Sequence, residues 1–125
     1  MAASLPSTMR ASQWHSNVGG IEKNLKVNPN AALPKNARSL SAGQTLVKVS
    51  YATINPVDFK VAEAPIVGQL MFAGTSPGVD YSGTVVTSTL PHLKPGEQVF
   101  GSFLLPNFGS LAEYAIAPKE GTCSP

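Results

Sequence analysis

The chain has 125 residues, 42% of them apolar and only 13% charged, with nine basic and seven acidic side chains and a net charge of +2. Charge at about half the usual ~25%, with this much apolar content, excludes a charge-rich disordered tail and favours one domain with a real core. The nine cations are scattered, no two adjacent, which leaves no basic patch for nucleic acid, and no apolar run approaches the ~20 residues of a membrane span. The single cysteine, Cys123, excludes an internal disulfide and a cysteine-based zinc cluster. Nothing points to an oxidising compartment, so cytoplasmic placement is the expectation.

Eleven glycines and eleven prolines predict many turns and short strands. Residues 1–8 read as an N-terminal extension, and the folded domain is expected over 9–125. Met9–His15 and Leu25–Asn28 read as short strands joined by a turn at Gly19-Gly20. A loop is expected from Pro29 to Gly43. Thr45–Ile54 reads as a strong strand, because Val47, Val49 and Tyr51 alternate with Lys48, Ser50 and Ala52. That alternation turns Tyr51 inward, as a core residue.

Asn55-Pro56 then opens a helix expected to run to about Ala64, with Asn at the N-cap, Pro at the first position and Asp58 at the third, where a carboxylate suits the helix dipole. Pro65 stops it, and the apolar turn Ile66–Phe72 has helical character. Pro77-Gly78 marks a turn. Strands are expected over Tyr81–Thr89, Glu97–Phe103 and Leu111–Ala117, separated by the Lys94-Pro95-Gly96 turn and a loop over Pro106–Gly109. The fold class this predicts is mainly β, a barrel or sandwich.

Four landmarks occur in order: NPVDFK at 55–60, PGVDYSG at 77–83, KPGEQVFG at 94–101 and GSLAEYAIAP at 109–118. Each alone is turn chemistry attached to a strand. Together, over about Met9 to Pro118, the chain resembles the N-terminal, GroES-like domain of the medium-chain dehydrogenase/reductase superfamily, in its zinc-independent quinone oxidoreductase and enoyl reductase branch. The resemblance implies a partly open, curved β-barrel with short helices.

It also implies a chemistry. Zinc-dependent members carry Cys where this chain has Asn55 and a His-Glu pair where it has Val79-Asp80. An amide and a valine do not replace thiolate and imidazole as zinc ligands, and His15 and His92 stand alone, so no zinc is expected. Without that Lewis acid, hydride transfer to a quinone or conjugated enone is more natural than oxidation of a simple alcohol. NADPH or NADH supplies the hydride, and weak donors such as an amide or an ammonium stabilise the carbonyl oxygen.

By the resemblance, Asn55 lies near the nicotinamide and substrate, and Lys60 faces the cofactor ribose or the substrate; these two are the candidate catalytic and cofactor-binding residues. On local chemistry alone Asn55 is a helix cap and Lys60 a solvated helix lysine. Asp58 reads as structural, Asp80 as ordering backbone near the cleft, and Glu113-Tyr114 as architectural.

The family binds its cofactor on a second, Rossmann-type domain, but this sequence contains no G-x-G-x-x-G turn. The expectation is therefore a substrate half whose cofactor-binding domain is missing, along with the C-terminal segment that returns to the first domain in full-length members. The alternative is a non-catalytic GroES-like module, or a truncated fragment without activity of its own. Uncovered strand edges in such a half predict self-association.

Overall fold

A computed structural model describes residues 4–103 and 108–124. Seven strands and three short helices follow in the order β1 (Thr8–Gln13), α1 (Ile21–Asn24), β2 (Lys26–Ala32), β3 (Thr45–Ala52), α2 (Pro56–Ala62), α3 (Val67–Phe72), β4 (Asp80–Ser88), β5 (Gln98–Ser102), β6 (Tyr114–Ala117) and β7 (Thr122–Cys123). The class is mainly β, as expected. β1 and β2 form a two-stranded sheet, and the other five strands a second sheet in the order β6-β3-β4-β5-β7. Every pairing is antiparallel.

The five-stranded sheet curls around a core of Val47, Tyr81, Val85, Leu93, Val99, Phe103, Ala115 and Ala117. A second cluster, Trp14, Ile21, Ala62 and Phe72, ties the helices together. Met9, Ala11 and Ala31 fill a third beneath the small sheet.

The departures from the expected elements have physical causes. β2 continues through Pro29 to Ala32, where a loop was expected. Met9 pairs with Ala31 but Ala11 with Asn28, so Pro29 and Asn30 together oppose Arg10. A bulge of this kind is where a strand tolerates proline, because no ladder hydrogen bond is required of it. The Arg10 N–H turns away from β2 and donates to Glu113 Oε1 at 2.6 Å, while the Glu113 N–H donates to the Arg10 carbonyl at 3.0 Å. Glu113 also accepts the Val49 N–H on its carbonyl at 2.8 Å. It therefore stitches the two sheets together, the architectural role read from sequence.

Tyr51 corrects the sequence reading: it is 77% exposed, not core. Val49 pairs with Gly83 and Tyr51 with Ser82, which leaves Ser50 as an extra residue in β3. One inserted residue exchanges the two faces of a strand. Tyr51 thus falls on the outer face, beside Ser82 and Phe100, which also pair.

α1 and β7 were not expected; each is a very short element inside a turn-rich segment. α2 ends at Ala62 rather than Ala64, and β6 begins at Tyr114 rather than Leu111. Part of the expected Pro106–Gly109 loop, and residues 1–3 of the expected extension, lie outside the described residues.

Candidate functional site

The start of α2 is held by a carboxylate three residues in. Asp58 is only 3% exposed. Its Oδ2 accepts the Asn55 N–H at 2.7 Å and its Oδ1 accepts the Gly78 N–H at 3.1 Å. Asp58 therefore anchors the helix to the Pro77-Gly78 turn, a structural role as the sequence suggests. Glycine is required at 78: its φ is 111°, and a Cβ there would run into Ser110 Oγ. The Gly78 carbonyl in turn accepts the Gly109 and Ser110 N–H groups at 3.0 and 3.2 Å.

Asn55 is the N-cap of α2 and shares a capping box with Asp58. Its side chain faces the Asp58 N–H without reaching hydrogen-bond geometry, and that N–H is taken by the Asn55 carbonyl at 2.9 Å. The amide nitrogen instead donates to Asp80 Oδ2 at 2.8 Å and, at 3.4 Å, to Thr53 Oγ1. Thr53 Oγ1 also donates to Asp80 Oδ2 at 3.4 Å. Ser102 Oγ makes a short hydrogen bond to Asp80 Oδ1. The Asp80 carboxyl is held below the usual carboxylate range, first by the Ser102 hydroxyl, then by the Asn55 amide, with a smaller share from Thr53 and partial burial opposing.

Sequence reasoning linked Asp80 only to backbone order and did not find Thr53 or Ser102. Ser102 reaches the cluster because it pairs with Asp80 across β4 and β5. A 22-residue separation carries no local signal of that pairing. Thr53, two residues before the cap, was the more findable of the two.

Lys60 is exposed on α2. The ion pair among the described residues is Arg10–Glu113 at 3.4 Å and does not include Lys60. The structure thus brings Asn55 together with Thr53, Asp58 and Asp80, and among the described residues no hydrogen bond joins it to Lys60. Nearby, Tyr51, Ile54 and Phe59 are exposed, as are Ile66, Val67, Leu70 and Met71 around α3. α3 turns only Gly68 and Phe72 inward. Its apolar outer side was legible as an apolar run but not as a surface.

A separate cavity of about 880 Å³ opens where the small sheet approaches β6, lined in part by Met9, Gln13, Phe72, Ser76, Tyr114 and Ala117. Neither Asn55 nor Lys60 borders it. Among the described residues no three His, Cys, Asp or Glu side chains come together to hold a metal ion, and no helix is long and apolar enough to cross a membrane.

The alcohol dehydrogenase GroES-like domain family matches residues 41–124. The trans-enoyl reductase pgmF of Aspergillus terreus is 48% identical over 130 residues, covering 97% of this chain and 36% of that protein. The chloroplastic NADPH-dependent alkenal/one oxidoreductase of Arabidopsis thaliana is 34% identical, covering 94% of this chain and 31% of that protein. The quinone oxidoreductase structure from Coxiella burnetii shares the fold at a TM-score of 0.68 and 24% identity, covering 94% of this chain and 36% of that one. The chain spans about a third of the length of the relatives it matches.

Proposed function

The chain belongs to the alcohol dehydrogenase GroES-like domain family of the medium-chain dehydrogenase/reductase superfamily, and from that premise we propose that it is the substrate half of a zinc-independent, NAD(P)H-dependent oxidoreductase that reduces conjugated enones or quinones. The observation that carries this reading is the 48% identity to a trans-enoyl reductase across 97% of the chain. In this reading residues 9–125 form one GroES-like domain, and the dinucleotide-binding domain lies outside these 125 residues. Every strand pair described is antiparallel, whereas a dinucleotide fold needs parallel strands joined by a helix.

The residues present fit a share of such a site rather than a whole cradle. Lys60 offers an exposed cation, and Asn55 a half-buried amide beside the start of α2. A reduced nicotinamide, when bound, supplies hydride to the carbon conjugated with the carbonyl. The apolar side chains Ile54, Phe59 and Val67 offer a wall against which an uncharged substrate packs with loss of water. Lys60, as an ammonium, is the group suited to a negative charge on the substrate oxygen or a ribose.

The test is NADPH oxidation with a panel of enones and quinones, using the longest gene product that carries this chain, its size fixed by intact mass. Turnover of an enone supports the reading; dinucleotide binding without reduction of any enone or quinone defeats it. A second reading, a GroES-like module without activity of its own, is favoured by the all-antiparallel sheets. An intact mass that ends with these 125 residues, together with no dinucleotide affinity, selects it.

A further inference from the structure

The link between α2 and α3 holds an isoleucine in a backbone conformation that isoleucine disfavours. Ile66 has φ 61° and ψ −57°, and among the described residues it is the one non-glycine with a positive φ. Across it the Val67 N–H donates to the Pro65 carbonyl at 2.6 Å. These dihedrals and this bond make a γ-turn of the rare, strained hand, and a β-branched side chain adds to the strain. Burial does not offset it, because Ile66 is 75% exposed, and glycine would form the same turn without the clash. Strain of this kind persists only where surrounding contacts hold it, and it concentrates at clamps and switches.

The contact that holds it is Gln69. Its Nε2 donates to the His15 carbonyl at 2.7 Å and its Oε1 accepts the Asn17 N–H at 3.0 Å. Asn17 in turn donates its side-chain amide to the Ala62 carbonyl, at the end of α2, at 3.0 Å. Gln69 is half-buried, so water competes for both of its bonds. The far end of α3 has a separate anchor: Phe72 sits in the Trp14 cluster, and the Gly74 N–H donates to the Trp14 carbonyl at 2.6 Å. α3 is thus fixed at one end, strained at the other and clamped between by two side-chain hydrogen bonds.

We propose that α3 is a spring-loaded lid: release of the Gln69 clamp lets Ile66 relax to a negative φ, and the helix closes its outer side, with Ile66, Val67 and Leu70, over the hydrocarbon part of the acceptor. This rests on the function proposed above. From Ala64 to Ser76 no residue is charged, and the exposed large side chains, Ile66, Val67, Leu70 and Met71, include no aromatic ring. Such a surface takes an alkyl chain by removing both from water, and it offers no ring face for a quinone to stack on. The lid therefore selects open-chain enones that carry an alkyl tail over small unsubstituted quinones. A ligand drives closure through the apolar contact that only the closed lid makes.

Nuclear magnetic resonance of the 15N-labelled chain tests the spring and the latch without any turnover. A positive φ brings a residue's own N–H and Hα together, so Ile66 should show a stronger intraresidue Overhauser effect between them than its neighbours. An effect no stronger than theirs overturns the spring. Gln69→Ala should weaken that effect and speed amide exchange at Gly68 and Leu70 by at least about 5-fold, the lower end for two neutral hydrogen bonds, with the β3 amides unchanged. Unchanged exchange, or a rise shared equally by β3, overturns the latch. In the longest product that carries the chain, the KM for methyl enones with tails lengthened from methyl to hexyl should fall roughly 2- to 4-fold per added CH2. Leu70→Ser should flatten the series and leave the KM of the shortest enone unchanged. A series flat in the parent, or as steep in Leu70→Ser, overturns the lid. A product that reduces no enone refutes the function proposed above, and the resonance measurements still decide the spring and the latch.

Discussion

Asn55 Nδ2 lies 2.8 Å from Asp80 Oδ2, joining the residue that opens α2 to the first residue of β4. The same contact serves the fold and the candidate site. Asn55→Ala removes a charge-assisted hydrogen bond and should destabilise by about 1–3 kcal/mol. Urea denaturation of Asn55→Ala, Asp80→Ala and the double variant should give a coupling of at least about 0.5 kcal/mol. Additive losses would show that the pair is not energetically linked.

The low position of the Asp80 carboxyl predicts an acid response. A carboxyl depressed in the folded state stabilises fully above its unfolded pKa and loses that contribution as pH falls through the folded value. Ser102→Ala removes the largest cause of the depression. The Asp80 titration, followed by carboxyl 13C shifts, should then move up towards 3.8, the ordinary value. The acid-unfolding midpoint should move up with it.

Strand β3 holds one position that the Ser50 bulge turns outward and another, five residues earlier, that is fully buried. Tyr51 is 77% exposed and Leu46 fully buried. Tyr51→Ser should change stability by no more than about 0.5 kcal/mol. Leu46→Ala should cost about 2–5 kcal/mol by opening a cavity in the packed strand. Thermal melts of the two variants compare them directly.

Exposed apolar side chains around α3 and the β6 edge predict association of the chain. Ile66 and Leu70 are 75% and 79% exposed, and β6 ends one side of the five-stranded sheet. Contiguous apolar surface and open strand edges both favour contact between copies. Sedimentation velocity should show concentration-dependent association that Leu70→Lys reduces. A monodisperse monomer at high concentration would count against it.

Specific zinc binding is not expected, because Asn55 and Val79 supply neither thiolate nor imidazole. Elemental analysis after dialysis should find well under one zinc per chain. Stoichiometric zinc retained after chelation would contradict the zinc-independent reading.

The sequence by itself determined the local elements and the family. The Asn55-Pro56 opening of α2, the turns at Pro77-Gly78 and Lys94-Pro95-Gly96, and the main strands arise from dihedral limits and side-chain periodicity within a few residues. Four such landmarks in order were enough to mark the family. Tertiary structure alone decided what depended on register. The bulge opposite Arg10 carried β2 through Pro29, and the extra Ser50 sent Tyr51 outward. The pairing of Asp80 with Ser102, and the hydrogen bond from the Asn55 amide nitrogen to Asp80, likewise bring together residues 22 and 25 positions apart. Side-chain periodicity is a local property of an unbroken strand. Register is set between strands, by where each ladder admits an extra residue, and a single such insertion reassigns which side chains face the core and which meet at the site.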